Sequence, residues 1–444
     1  MWVLAFRKRL LQYQKVRSGK FMTKRDGIDL TKRRWLVLLA SCAINLCIGS
    51  LYAWSVFAAP MAAELTQVTG RELTAADLSI VFSVGNGLGF ITMIGGGFLD
   101  KTIGPKWVIL IGGVLFGLGF VICGFASNIM MLVVGYGLFS GLAMGLAYGC
   151  TISNSVKFFP DKAGLVGGIA TASYGISSVI VPPVANALIE QFGVSRAFLI
   201  MGVVIILVVG VFSQMIVKCP EGYRPDHWTP PAEEKGNNQE NQKECQAADR
   251  DWKEMLRTPI FYNMLTMLFF GAVLGMMAIS QASNIAQTML GMTPAQAAVV
   301  VSVLALFNTF GRIAAGVISD KIGCIGTLRG VFAAAVAAMI ILYVSGNGYT
   351  LLFHVGICMV GICFGSFMGV YPSFTASQFG SENASVNYGI MFIGFNMAGL
   401  AGPIIVSRIF QQTGDYRNVF LTALLFAVIG LMLSFVYSRI KNRY

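Results

Sequence analysis

The sequence has few charged residues, and its long apolar runs contain almost none. Only 12% of the 444 residues are charged and 56% are hydrophobic, whereas soluble domains are roughly 25% charged. The net charge of +12 does not indicate nucleic-acid binding, because the basic residues lie in short segments beside apolar runs. The composition indicates a membrane protein that contacts a lipid bilayer and binds no nucleic acid.

Signatures of catalysis and of metal or cofactor binding are also missing. The 9 cysteines show no CxxC or metal-ligand spacing, and most lie in apolar runs, so we interpret them as small packing residues. The glycine-rich run SVGNGLGF (83–90) lies inside an apolar segment with no preceding strand, which favours helix packing over a phosphate loop. We therefore expect neither an enzyme nor a bound cofactor or metal.

Apolar runs long enough to cross a bilayer as helices recur twelve times. The pattern predicts an all-α membrane protein with twelve transmembrane helices in two pseudo-symmetric six-helix halves. The predicted spans are 35–58, 77–99, 107–126, 130–156, 164–190, 196–217, 260–288, 296–319, 325–346, 350–378, 385–410 and 417–438.

Residues 218–258 interrupt this pattern because they are polar and rich in proline, which is typical of a linker. The chain then divides into a basic N-terminal segment (1–34), a first bundle (35–217), the linker, a second bundle (259–438) and a tail (439–444).

The distribution of Lys and Arg predicts the orientation in the membrane. These residues concentrate in the N-terminal segment, the linker, the tail and the loops after the second, fourth and eighth helices. By the positive-inside rule, the linker and both termini are cytoplasmic. We expect a multi-pass protein of the plasma (inner) membrane, and Met22 is an alternative start to Met1. The loops on the other side contain only Arg71, Arg196, Arg408 and Arg417.

The two predicted halves repeat at an offset of about 220 residues. Asp100 and Lys101 in the first half correspond to Asp320 and Lys321 in the second. Two similar halves with a substrate site where they meet at mid-membrane are typical of transporters. The repeat therefore predicts a carrier.

The loop sequence GGGFLDKTIGPKWVILIGG (95–113) and its weaker counterpart GRIAAGVISDKIG (311–323) resemble the loop signature of the major facilitator superfamily. The resemblance implies that the Asp-Lys pair of each loop acts as a latch between conformations and binds no substrate. We also expect kinks at Pro182 and Pro403 that let the fifth and eleventh helices flex during gating.

Arg312 is the one clear charge inside an apolar span. An ionisable side chain at bilayer depth costs about 2.5 to 17 kcal/mol, so it normally faces a bundle interior or a wet cavity. Arginine keeps its proton and binds carboxylates through two parallel hydrogen bonds. The sequence predicts that Arg312 binds a small organic anion. The alternative is a structural arginine that donates to backbone carbonyls of a neighbouring helix.

A narrower resemblance comes from LYAWSVFAAP (51–60), NTFGRIAAGVISDKIG (308–323) and NYGIMFIGFNMAG (387–399). Together these runs resemble the oxalate:formate antiporter branch, whose members transport small carboxylates. The resemblance implies a substrate-binding arginine in the eighth helix, and Arg312 occupies that position.

The resemblance also implies a lysine in the eleventh helix of oxalate carriers. In this chain that position is Phe395, beside Asn396. A dicarboxylate would meet one fixed positive charge instead of two, and losing a close charge partner at low dielectric costs several kcal/mol. We therefore predict a small monocarboxylate such as formate, pyruvate or lactate.

Further residues of the predicted site follow from the same resemblance. Tyrosines of the first half match cavity-lining positions, and their phenols can donate to a carboxylate. We expect two phenylalanines to face the cavity from the second half. The predicted substrate site comprises Arg312, Tyr52, Tyr148, Tyr174, Phe364, Phe392, Phe395, Asn396 and Asn308.

The predicted function is secondary active transport of a small carboxylate by alternating access, as anion exchange by a monomer. A proton-coupled symporter for the same substrates remains an alternative. Asn308 argues against it, because the more distantly similar monocarboxylate transporters have an aspartate there. A transport-derived sensor that signals through the linker is the second alternative.

Overall fold

The computed structural model contains two bundles of membrane helices. It describes residues 24–25, 28–74, 77–220, 222–225, 249–345 and 349–441. Most of the predicted N-terminal segment with Met22, most of the predicted linker and the last residues of the predicted tail lie outside these described residues.

Twelve helices of the described chain are long and apolar enough to cross a membrane, so the predicted fold class is confirmed. Two-residue strands, Lys24–Arg25 and Ile28–Asp29, form an antiparallel pair before the first helix. The membrane helices are α1 (Leu30–Thr69), α2 (Ser79–Ile103), α3 (Pro105–Gly124), α4 (Ile129–Phe158), α5 (Ala163–Phe192), α6 (Val194–Ser213), α7 (Pro259–Leu290), α8 (Pro294–Ile322), α9 (Cys324–Ser345), α10 (Thr350–Phe379), α11 (Ala384–Thr413) and α12 (Arg417–Lys441).

Three membrane helices depart from regular α geometry. A 3-10 turn, Gly49–Ala53, interrupts α1, and the helix continues as Trp54–Thr69. The segment Val133–Ser140 of α4 is π-helical, a form that is common at functional sites. Helix α11 is interrupted at Phe392, between Ala384–Met391 and Ile393–Thr413.

The two halves, α1–α6 and α7–α12, meet through α5, which packs on α8 and α10, and through α2, which packs on α11. Glycines allow these backbones to touch. A Cβ atom at Gly168 of α5 would collide with the carbonyl oxygen of Arg312, and one at Gly365 of α10 would collide with that of Asn308. Small residues thus bring three helices together at the level of Arg312.

One connection between the halves lies on the linker side of the bundle, where α6 ends and α7 begins. The Asp320 carboxylate, near the end of α8, accepts hydrogen bonds from the backbone N–H groups of Gly164 and Leu165 at 2.7 and 2.8 Å. These two N–H groups belong to the first turn of α5, where the helix dipole favours an anion. Lys321, next to Asp320, is exposed.

The equivalent connection of the other half joins α2 to the start of α11. The Ser385 hydroxyl donates to Oδ2 of Asp100 at 3.1 Å, and Lys101 donates to the Asn383 side chain. Asp100 and Asp320 are thus both placed to link one half to a helix start in the other.

Candidate functional site

A cavity of about 320 Å³ lies between the two halves. Helices of both halves line it, which matches the predicted position of a substrate site. Pro403, predicted to act in gating, lies in this lining, whereas Pro182 lies within α5 and outside the lining. Of the predicted site residues, those that line the cavity are Arg312, Tyr52, Tyr148, Tyr174, Phe392, Phe395 and Asn396.

Arg312 is buried, with 4% of its surface exposed. Its Nη1 donates to the backbone carbonyl of Thr171 in α5 at 2.7 Å, and its Nε donates to Oδ1 of Asn308 at 3.4 Å. The first of these bonds crosses from one half to the other. The guanidinium is therefore held by neutral oxygens, as the structural alternative predicts, but these bonds use only part of its donors.

No acidic side chain that the structure describes neutralises the charge of Arg312. Within the described residues, no acidic side chain forms a salt bridge with it and none lines the cavity. A buried charge without a counter-ion is costly, so an anion that enters the cavity gains an unopposed partner.

Three tyrosines of the first half form a connected aromatic wall beside Arg312. The Tyr174 ring lies 5.4 Å from the Tyr52 ring and 4.8 Å from the Tyr148 ring, between centroids. The Tyr174 hydroxyl is buried beside that of Tyr52 and forms no hydrogen bond of regular geometry within the described residues. An unsatisfied buried hydroxyl costs about 1–3 kcal/mol, and a carboxylate oxygen in the cavity can accept from it.

Two predicted site residues lie behind the lining. Asn308 contacts the Arg312 side chain from the preceding turn of α8 and thereby orients the guanidinium. Phe364, which we expected to face the cavity, packs against Gly275 of α7 instead. Its ring centroid lies 6.1 Å from that of Phe395, so it supports the wall without forming it. The missing side chain at Gly275 leaves the space that Phe364 fills.

Several polar residues that line the cavity were not predicted from the sequence, among them Asn86 and Ser280. Nδ2 of Asn86 donates to the Phe82 carbonyl at 3.1 Å, which leaves the amide oxygen as an acceptor in the cavity. Asn86 lies in the run SVGNGLGF, which we interpreted only as a packing element. A polar side chain among the glycines of an apolar span was the signal that could have identified it.

Asp100 and Lys101 lie apart from this cavity. They line a separate cavity of about 510 Å³ on the linker side, together with Lys157 and Lys218. Burial raises the pKa of the Cys219 thiol in the same wall to about 12, so this cysteine adds no charge at neutral pH. The second cavity therefore contains Asp100 and Lys101, two of the residues predicted to act in gating, and no predicted substrate ligand.

Comparison with known proteins gives the family. The model of the Major Facilitator Superfamily matches residues 35–403. The chain is 30% identical to the uncharacterized MFS-type transporter YhjX of Escherichia coli (strain K12), over 83% of this chain and 86% of that protein. It is 27% identical to the oxalate:formate antiporter of Oxalobacter formigenes, over 93% and 94% of the two chains.

A solved structure shows the same fold. The proton:xylose symporter XylE aligns with a TM-score of 0.67 and 13% identity, covering 91% of this chain and 95% of XylE. The twelve apolar helices and the family match make the protein an integral membrane transporter and not an enzyme. The chain belongs to the major facilitator superfamily.

Proposed function

We propose that this protein transports a small monocarboxylate, such as formate, pyruvate or lactate, by alternating access and in exchange for another anion. The observation that carries the proposal is the buried Arg312, which has no acidic partner in the described residues and lines a cavity between the halves. One carboxylate neutralises this charge, and the guanidinium matches its geometry.

The single cation favours a monoanion over a dianion. Phe395 occupies the position where the resemblance implies a lysine in oxalate carriers, and its ring stacks on that of Phe392 with a centroid distance of 4.6 Å. A second carboxylate would face this apolar wall and remain without a charge partner. At low dielectric, an unpaired charge is strongly disfavoured.

The size of the cavity is compatible with a small acid. A volume of about 320 Å³ is many times the ≈ 10–15 Å³ that a cavity needs to hold one water. It can hold a short carboxylate with several waters, so charge and hydrogen bonding, rather than tight fit, select the substrate.

The bond between Arg312 and Thr171 provides a physical route for coupling. This bond joins α8 to α5 across the two halves, and the linker-side bonds of Asp320 and Asp100 join the same halves. Rocking of the halves must break or exchange these bonds. A carboxylate that takes over donors of Arg312 compensates for part of that loss, so the loaded carrier reorients more readily than the empty one.

The orientation in the membrane is part of the proposal. We place the linker side and both termini in the cytoplasm, in the plasma (inner) membrane, because Lys and Arg concentrate on this side. We also propose that a single copy is functional, since one chain supplies both halves of the cavity.

Counterflow into proteoliposomes tests the proposal. Purified protein is reconstituted into vesicles preloaded with an unlabelled acid, and uptake of labelled formate, pyruvate, lactate and oxalate is measured. We expect saturable uptake of at least one monocarboxylate, which disappears in protein-free vesicles. Saturable binding without flux would favour the sensor, and uptake of oxalate alone would overturn the charge argument.

A further inference from the structure

The lining of the central cavity is chemically divided between the helices that supply it. Arg312 comes from α8 and the three tyrosines come from α1, α4 and α5, whereas α7 and α11 supply mainly apolar side chains. The Tyr148 hydroxyl lies beside the Arg312 guanidinium. One part of the cavity therefore offers a charge and hydrogen-bond donors, and the other part offers apolar surface.

A row of aromatic rings joins the two parts. The Tyr174 ring lies 4.8 Å from the Tyr148 ring, which lies 6.1 Å from the Phe392 ring, between centroids. Phe392 in turn stacks on Phe395 at 4.6 Å. The rings that carry hydroxyls end at Tyr148, so the wall changes from phenols that can donate hydrogen bonds to rings that offer only apolar contact.

The apolar part continues along α11. Its lining includes Phe395, Gly399, Leu400 and Pro403, which span about 12 Å along the helix axis. Met276 of α7 lies opposite, because a Cβ atom added to Gly399 would meet only the Met276 Cε atom, at 4.0 Å. We define these five residues as the apolar lobe. The missing side chain at Gly399 leaves room in the lobe, and the flexible Met276 can adapt to what fills it.

The polar side chains that α7 and α11 add to the cavity donate to their own helices. The Ser280 hydroxyl donates to the carbonyl of Met277 at 3.2 Å, and Nδ2 of Asn396 donates to that of Phe392 at 3.0 Å. The five side chains of the apolar lobe carry no hydrogen-bonding group. A polar group placed against them would lose water without gaining a partner, which is unfavourable.

We propose that the transported acid is amphipathic, with one carboxylate bound to Arg312 and a short aliphatic chain in the apolar lobe. This inference rests on the proposed function, because the carboxylate must bind Arg312. The charge decides which acids bind, and the lobe ranks those acids by the apolar surface that they bury. Affinity should therefore rise with chain length, and formate, which has no chain, should bind most weakly.

Isothermal titration calorimetry of the purified full chain in detergent tests the inference. The ligands are sodium formate, acetate, propanoate, butanoate and pentanoate at neutral pH, where all are anions, and protein-free micelles give the blank. From acetate to pentanoate, we expect affinity to rise about fourfold for each added methylene, the equivalent of about 0.8 kcal/mol. The analogue 4-hydroxybutanoate replaces the terminal methyl of pentanoate with a hydroxyl and keeps the charge. It should bind at least about tenfold more weakly than pentanoate.

A variant that fills the lobe gives a second, independent test. Gly399→Leu should lower the affinity for pentanoate relative to formate by about tenfold. Gly330→Leu is the matched control, because a Cβ atom added at this glycine of α9 meets nothing within 4 Å and it lies outside the cavity lining. Equal melting temperatures of the two variants establish that the effect is local. The series of acids on the unmodified protein does not depend on either variant.

The possible failures are distinguishable. Formate that binds as tightly as pentanoate would overturn the apolar lobe and leave the proposed function intact. A hydroxy analogue that binds as tightly as pentanoate would also overturn it, and would assign the tail to an acceptor such as the Asn86 amide oxygen. An unchanged preference in Gly399→Leu would overturn the placement of the chain. If none of these acids binds, the proposed function fails and this inference fails with it.

Discussion

The Asp320 carboxylate accepts hydrogen bonds from the backbone N–H groups of Gly164 and Leu165 in α5, whereas the carboxylate of its counterpart Asp100 accepts, among the described residues, only one from the Ser385 hydroxyl. The second oxygen of Asp100 is buried and has no partner within the described residues. The two carboxylates thus link the halves unequally, because two bonds from backbone N–H groups at a helix start outweigh one bond from a hydroxyl.

This asymmetry predicts that Asp320→Asn opens the linker side more than Asp100→Asn. In Asp320→Asn, the new NH₂ group would face a backbone N–H group, so two donors would meet. In Asp100→Asn, the Ser385 hydroxyl can rotate and accept a hydrogen bond from the new NH₂ group. A cysteine placed at Ala376, which lines the linker-side cavity, reports opening in a background without the native cysteines. We expect maleimide labelling of this cysteine to be about tenfold faster in Asp320→Asn than in Asp100→Asn. Equal labelling rates in the two variants would contradict the prediction.

The second prediction concerns the charge in the central cavity. Arg312→Gln should lower transport by at least about 100-fold, because charged hydrogen bonds of about 1.5–3 kcal/mol each are lost. Arg312→Lys should restore little, since the planar fork is lost. Arg196→Gln, which removes an exposed arginine, is the matched control. Initial uptake rates per mole of reconstituted protein test this prediction. Normal uptake by Arg312→Gln would refute the assignment of Arg312 as a substrate ligand.

The sequence predicted the architecture well because lipid imposes a simple rule. Every span must be long, apolar and internally hydrogen-bonded, so twelve runs become twelve helices. The extra length of α1, which continues through Pro60 to Thr69, was not predicted, since polar residues near the outer end hide the boundary.

The residues that line the cavity were less predictable because they depend on which face of each helix contacts the other half of the protein. Phe364 and Phe392 look alike in sequence, yet only Phe392 lines the cavity, since Gly275 opens a slot for the Phe364 ring. The π-helical segment Val133–Ser140 turns the residues that follow it toward a different side of α4. No periodicity of apolar residues in the sequence indicates this change. Sequence patterns identify a helix face, but tertiary packing decides what that face meets.

A third prediction tests the basis of selectivity. Phe395→Lys should place a second cation in the cavity and shift preference from monocarboxylates toward oxalate, because a dianion then finds two charge partners. Leu400→Lys adds the same charge further along α11, at another lining residue, and controls for position. Competition of unlabelled acids against labelled substrate measures the shift. Strong competition by oxalate in the unmodified protein would contradict the monocarboxylate proposal.

The last prediction concerns what drives transport. Carriers that move protons usually place Asp, Glu or His along the path, and none of these residues lines the central cavity in the described part of the chain. One fixed guanidinium is neutralised by one carboxylate, so an anion must leave before another enters. We therefore expect internal counter-anion to accelerate uptake several-fold, while an imposed proton gradient has little effect. Uptake is measured in vesicles with and without internal acid, at equal pH and with the inside alkaline. Accumulation without internal anion that an uncoupler abolishes would replace exchange with proton symport, because a substrate that enters with its own proton needs no carboxylate in the cavity.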